Sequence, residues 1–122
     1  MERGKRRTWT GIIKDCPPSA NQLLRTHYRD RKALAERWYL ELYAAFAHDR
    51  PTKAIGKRRV AVTVTSTRER DHANLWLGVD KLIFDNLTRL GWLVDDNPTY
   101  LDAEVKGETG DRSTSITIEE GV

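Results

Sequence analysis

The residues best suited to chemistry in this chain lie in one segment, from Arg68 to Pro98. Its candidate residues are Asp71, Asn74, Lys81, Asp95 and Asp96. Carboxylates that converge from the two ends of a helix can bind Mg²⁺, or Mn²⁺ in its place, because these ions prefer oxygen ligands. A lysine beside them can neutralise charge on a phosphate. The combination is typical of metal-dependent hydrolysis of phosphodiesters.

We expect Asp71 and Asp96 to be the main metal ligands, with Asp95 in support. Asp71 follows one predicted strand and Asp96 precedes the next, so their carboxylates would meet at one rim of the sheet if those strands are neighbours. Lys81 lies seven residues after Asn74, about two helical turns. From there it could stabilise the charge of a phosphate in the transition state. The predicted catalytic residues are therefore Asp71, Asp96 and Lys81.

Each of these residues also has a purely structural interpretation. Asp71 could be the N-cap of the following helix, which is a common use of aspartate. The segment from Asp95 to Pro98 contains residue types that favour turns. Lys81 could be a solvated helix residue. Spacing alone leaves these alternatives open.

Basic residues recur beside the acidic motif, although the whole chain carries a formal net charge of only +3. The residues predicted to contact DNA are Arg25, Arg29, Lys57, Arg58, Arg59, Arg68, Arg70 and Asn74. Such clusters could bind backbone phosphates or could simply be solvated surface. Their position beside the carboxylates favours a nucleic-acid substrate.

The elements that must position these residues alternate between strands and helices. The sequence predicts strands at 8–14, 59–67, 101–106 and around 116–118, and helices at about 29–48 and 74–90. The last two strands are predicted to form a β-hairpin, and Gly91 is suited to follow the second helix. The order βαβαββ predicts a single α/β (α+β) domain over residues 1–122 with a mixed sheet. Residues 1–7 and 121–122 are expected to be tails.

Composition argues against several other classes of protein. Cys16 is the only cysteine, so no internal disulfide can form, and three scattered histidines do not complete a zinc site of the usual type. No apolar run approaches the roughly 20 residues that a membrane span requires. The charged N-terminus is not followed by the apolar region of a signal peptide. We therefore expect a cytoplasmic protein.

Two sets of residues resemble motifs of the RusA-type Holliday junction resolvases. One is Pro17-Pro18-Ser19-Ala20-Asn21, which is similar to the PPS-x-N motif after that family's first strand. The other comprises Asp71, Asn74, Lys81, Phe84-Asp85, Leu87-Thr88, Gly91 and Asp95-Asp96. It is similar to the family's D-x-D-N motif, lysine-bearing helix and D-D pair.

The resemblance implies a homodimeric, Mg²⁺-dependent endonuclease of phage or prophage type that resolves four-way DNA junctions in a bacterial host cell. It implies that Asp71, Asp96 and Lys81 are the catalytic groups. The family's remaining aspartate falls on Ala73, which offers no oxygen to a metal. Activity of this chain is therefore expected to be weak or absent.

Three explanations fit Ala73. It is a substitution that traps a nuclease on uncut DNA, a variation for which Asp80, Asp95 or water compensates, or the mark of a protein that binds junctions without cutting them. On a regular helix Asp80 points about 120° away from Asn74, so we do not expect Asp80 to compensate. An unrelated small α/β domain with tryptophans at a dimer interface is a further alternative.

Overall fold

Strands and helices alternate along the chain, which the computed structural model describes for residues 7–121. The strands are β1 (Arg7–Ile13), β2 (Arg58–Ser66), β3 (Leu101–Thr109) and β4 (Ser113–Glu120). The helical elements are α1 (Ala20–Arg25), α2 (Tyr28–Ala45), α3 (His72–Val79), a π-helical turn (Asp80–Phe84) and α4 (Asp85–Arg89). The α+β class and the mixed sheet are confirmed. Of the expected tails, Arg7 belongs to β1, and residues 1–6 and 122 lie outside the described residues.

One mixed sheet contains β1 to β4, in the order β1-β4-β2-β3. β2 and β3 are parallel, whereas β4 is antiparallel to both β1 and β2. The predicted hairpin of β3 with β4 is wrong, because β2 lies between them. Residues 110–112 cross the end of β2, where the backbone N–H of Gly110 donates to the carbonyl oxygen of Ser66 at 2.9 Å. This short crossing suffices because two strand spacings amount to only about 10 Å.

The core forms where the helices cover one face of the sheet. Val60, Val62 and Val64 of β2 are buried, while the residues between them are half-exposed, as the alternating sequence predicts. They share one hydrophobic cluster with Trp38 of α2 and Ile83 of the π-turn. Among residues 7–121, no helix combines the length and the apolar character needed to cross a membrane.

The Pro17-Pro18 segment leads directly into α1 through a capping box. The Ser19 hydroxyl accepts from the backbone N–H of Gln22 at 3.2 Å, and the Gln22 side chain accepts from the backbone N–H of Ser19 at 3.0 Å. Gly78 of α3 packs against this segment, since a Cβ atom there would lie 2.5 Å from the carbonyl oxygen of Pro18. The proline-serine motif thus fixes α1 closely against α3.

The helical run that carries the candidate site ends where the sequence predicts. Gly91 has a φ of +81°, a conformation that favours glycine after a helix. The backbone N–H of Trp92 then donates to the carbonyl oxygen of Leu87 at 3.0 Å. This sharp end turns the chain back toward the helix, so that the segment containing Asp96 can contact it.

Candidate metal centre

Three carboxylates converge beside the helical run from His72 to Arg89. Asp80, Asp85 and Asp96 each offer an oxygen atom, and these three atoms lie within 4.8 Å of one another. Ligands on opposite sides of one Mg²⁺ are about 4 Å apart, so small side-chain movements would let the three share an ion. The group could therefore hold a metal ion, and its purely oxygen ligands suit a hard divalent cation.

The π-helical turn brings Asp80 and Asp85 together. The backbone N–H of Asp85 donates to the carbonyl oxygen of Asp80, five residues earlier. In a regular α-helix five residues turn through about 500°, which would leave the two side chains about 140° apart. The wider π-turn reduces this angle, so both carboxylates occupy one side of the helix. Such turns are rare and are frequent at functional sites.

Asp96 reaches this pair from the segment that follows α4, and its side chain is hydrogen-bonded to that of Asp85. The neighbouring Asp95 shapes the segment. Its Oδ1 accepts from the backbone N–H of Asp96 at 2.7 Å, and its Oδ2 accepts from Nδ2 of Asn97 at 3.1 Å. Asp95 was predicted as a supporting ligand. It is not one of the three clustered carboxylates and instead orients the backbone that presents Asp96.

Burial and mutual repulsion perturb the three carboxylates. Burial, followed by the hydrogen bond with Asp96 and the charges of Asp96 and Asp80, raises the pKa of Asp85 to about 6. Burial and then the charge of Asp96 raise the pKa of Asp80. The hydrogen bond with Asp85 lowers the pKa of Asp96. The result is a concentration of negative charge that a divalent cation would neutralise.

Lys81 is the cation closest to this group in its electrostatic effect. Its charge lowers the pKa of Asp80, Asp85 and Asp96 alike. Lys81 lies in the π-turn itself and its side chain is exposed. It can therefore reach an anion that approaches the carboxylates from solvent.

The parallel pairing of β2 and β3 places Asp71 away from Asp96. Asp71 follows the carboxyl end of β2, whereas Asp96 leads toward the amino end of β3. Asp71 is the N-cap of α3, because its Oδ1 accepts from the backbone N–H of Asn74 at 2.9 Å and its Oδ2 from Nδ2 of Asn74 at 3.3 Å. Nine residues separate Asp71 from Asp80, about 13 Å along a helix.

The expected metal site of Asp71 with Asp96 is therefore corrected to one of Asp80, Asp85 and Asp96. Ala73 lies exposed in the first turn of α3, so the carboxylate that it lacks would not have belonged to this group. Asp80 does contribute, contrary to expectation, because the group does not form at the Asn74 end of the helix.

The prediction that Arg58 contacts DNA is wrong, because Arg58 is only 1% exposed. Its guanidinium donates to the carbonyl oxygens of Thr52 and Trp92 at 2.7 and 3.0 Å. It also pairs with Glu120 at 3.3 Å and lies over the ring of Trp9, 4.8 Å from its centroid. Arg58 thus ties the start of β2 to its surroundings.

The other predicted DNA contacts differ in how freely they could bind a phosphate. Arg25, Arg29, Lys57 and Arg68 are exposed and form no ion pair within residues 7–121. Arg59 is exposed but pairs with Glu104 at 2.9 Å and Asp102 at 3.6 Å. Arg70 donates to the carbonyl oxygen of Pro17 at 2.7 Å, and Asn74 is engaged with Asp71. The first four residues are the most accessible cations of the predicted set.

Sequence reasoning missed Asp85 as a ligand. The available signal was an acidic residue between Phe84 and Asn86, both of which are buried. A carboxylate in a buried stripe requires a partner, and here that partner is Asp96. A scan of the sequence against protein-family models finds no match, and a search of curated proteins finds no relative. The likeness to the RusA-type resolvases therefore depends on the motif residues alone.

Proposed function

We propose that this chain is a divalent-metal-dependent endonuclease of RusA type that cuts branched DNA, with Asp80, Asp85 and Asp96 as its metal ligands. The observation that supports this most is the convergence of three carboxylates within 4.8 Å. Three oxygens with no sulfur or nitrogen ligand favour Mg²⁺ or Mn²⁺ over zinc. The π-turn adds to the argument, because an uncommon backbone conformation is what presents two of them.

The chain's own residues have separable roles in this proposal. A divalent cation, when bound, supplies Lewis-acid activation of water and of the phosphate. Asp80, Asp85 and Asp96 hold that ion, and Asp95 keeps Asp96 turned toward the helix. Lys81 places a positive charge near the non-bridging oxygens of the phosphate and stabilises the charge that develops during cleavage.

The exposed cations Arg25, Arg29, Lys57 and Arg68 bind the DNA backbone in this proposal. A four-way junction needs two symmetric nicks, so the functional form is a twofold homodimer with two equivalent sites. The protein acts in the cytoplasm of a bacterial host cell. Size-exclusion chromatography with light scattering would test the dimer directly.

Cleavage of a synthetic four-way junction in Mg²⁺ tests the proposal. We expect the unaltered chain to nick the junction and Asp85→Asn to lose at least about 100-fold in rate, more than the loss of an outer-shell partner usually costs. Asp71→Asn is the matched control. Asparagine caps a helix about as well as aspartate, so this variant should stay folded and keep its activity.

Ala73→Asp separates the two possible metal sites. If Asp80, Asp85 and Asp96 form the site, Ala73→Asp leaves cleavage nearly unchanged, whereas a site at Asp71 predicts a large gain. A chain that binds junctions in preference to duplex DNA but cuts in neither Mg²⁺ nor Mn²⁺ would be a non-catalytic junction-binding protein. A chain without any preference for junctions would contradict the proposal altogether.

A further inference from the structure

A groove with a largely apolar lining lies where α1 and α2 face α3 and the π-turn. Its volume is about 500 Å³, within the range of about 300–1,000 Å³ that is usual for small-ligand sites. Leu24 and Tyr28 line it and remain 69% and 68% exposed. Leu77 of α3 lines the opposite side. Apolar groups of this size could cover both faces of a flat ring.

The polar groups of the groove are all positively charged. Arg31, Lys32 and Lys81 line it, and no acidic residue among the described residues does so. None of these three cations forms an ion pair within residues 7–121. The groove therefore suits a ligand that combines an apolar planar part with negative charge.

Lys81 connects the groove to the candidate metal centre. It lines the groove, and it directly follows Asp80 in the π-turn. Leu77 and Leu82, on either side of this pair in sequence, also line the groove. A ligand that fills the groove would thus have its charged end close to the carboxylates that we assign to the metal.

We propose that the groove receives an unstacked nucleobase of the DNA strand whose phosphate lies at the metal centre. This inference rests on the proposed function. The base would pack on Tyr28 and the leucines, and the flanking phosphates would meet Arg31, Lys32 and Lys81. Base–aromatic stacking tolerates any base sequence, and a base is least costly to unstack where pairing is already disturbed, as at a branch point.

An acidic amphipathic helix of a partner protein is the main competing occupant. It would satisfy the apolar lining and the three cations equally well. However, its carboxylates would also approach Asp80, Asp85 and Asp96, which repel further negative charge unless a cation intervenes. A phosphodiester is attracted by the ion at that site, so the position beside the metal centre favours a nucleotide.

A double-mutant cycle between protein and DNA tests the inference. The protein change is Tyr28→Ala, and the DNA change removes one base from a nucleotide next to the nick, or from each position within three of the branch point if no nick forms. Both are made in the Asp85→Asn background, so that the DNA stays intact. We expect either change alone to weaken junction binding about tenfold, and both together to weaken it little further.

Two variants control for effects on folding. Tyr28→Phe keeps the ring and should bind like the parent. Tyr43→Ala removes another exposed tyrosine of α2, one that stacks with Arg50 at 3.9 Å and does not line the groove, and should also bind like the parent.

The possible outcomes separate this inference from the proposed function. Additive losses at every position tested, with junction binding otherwise intact, would overturn the inference and leave the nuclease proposal standing. Binding of an acidic helical peptide that Tyr28→Ala abolishes, with DNA affinity unchanged, would overturn it in favour of a protein partner. Failure of the parent chain to bind junctions would refute both proposals.

Discussion

The side chains of Asp85 and Asp96, which are eleven residues apart in sequence, are hydrogen-bonded to each other. Two carboxyl groups can form such a bond only if one of them holds a proton. Asp85 is the one that holds it, since its pKa is raised to about 6 while that of Asp96 is lowered. A proton and a metal ion therefore compete for the same pair of side chains.

Asp85→Asn should stabilise the metal-free protein at pH 7 to 8. The folded protein binds the proton of Asp85 up to a pKa of about 6, whereas the unfolded chain releases it near pH 4. Ionised Asp85 therefore lowers the free energy of unfolding above pH 6, and its cost disappears as the pH falls toward 4. We expect a gain of about 1 kcal/mol, allowing for solvent screening of a half-buried group.

Thermal or urea unfolding at pH 4 and pH 8 measures this effect. Asp111→Asn, in the exposed loop between β3 and β4, serves as the control and should change the free energy of unfolding little at either pH. Equal stabilisation by Asp85→Asn at both pH values would contradict the assigned protonation.

Mg²⁺ or Mn²⁺ should raise the melting temperature of the protein, and more so at pH 8 than at pH 5. A ligand that binds the folded state alone stabilises it by mass action. At pH 5 the proton on Asp85 opposes the ion, because carboxylate ligands must be deprotonated to bind a metal. Differential scanning fluorimetry with and without EDTA measures the shift, and isothermal calorimetry counts the ions bound.

Asp96→Asn should remove this metal-dependent shift, and Asp71→Asn should retain it. A shift that is lost in Asp71→Asn and kept in Asp96→Asn would place the ion at the start of α3 instead.

Lys81→Met should reduce cleavage by about 100-fold while metal binding is retained. Removing the positive charge takes away transition-state stabilisation, and it also leaves the three carboxylates more repulsive to one another and so more receptive to a cation. Single-turnover cleavage together with metal titration separates the two effects. Lys106→Met, an exposed lysine of β3, is the control. Parallel losses of metal affinity and rate would show that Lys81 merely supports the fold.

Arg58→Met and Arg68→Ala should have opposite consequences. Arg58→Met removes the buried hydrogen bonds to Thr52 and Trp92 and should lower the free energy of unfolding by about 3 kcal/mol. Arg68 is exposed, so Arg68→Ala should leave stability unchanged. It should weaken DNA binding and reduce the slope of log affinity against log salt by about 1. Chemical denaturation and a salt series of binding isotherms check the two.

The sequence predicted the elements better than their pairing. Alternation around Val60, Val62 and Val64 located β2 to within a residue, and Gly91 marked the end of the helical run. Pairing was harder, because strand order depends on which strand inserts between β3 and β4, and alternation carries no such information. The expected meeting of Asp71 and Asp96 failed with it, since a parallel β2 and β3 separate those residues.

The candidate site was predicted only in part, for a local reason. Asp96 and Lys81 were identified from their residue types and spacing. Asp80 was discounted because the angles assumed 100° per residue, which the π-turn does not obey. Likewise, Arg58 was indistinguishable from its basic neighbours in sequence, and only its packing under Trp9 and Glu120 reveals that it is buried.

The π-turn makes the distance in sequence between Asp80 and Asp85 rigid in a way that other spacings of the chain are not. Deleting one residue there would rotate everything after it by about a quarter turn, moving Asp85 away from Asp96 and Leu87 out of the interior at once. The loop from Gly91 to Tyr100 has no such constraint and can change length more easily. Distant homologues should therefore preserve a D-x4-D signature inside an apolar helix even where the rest of the sequence has diverged, which offers a search pattern independent of overall identity.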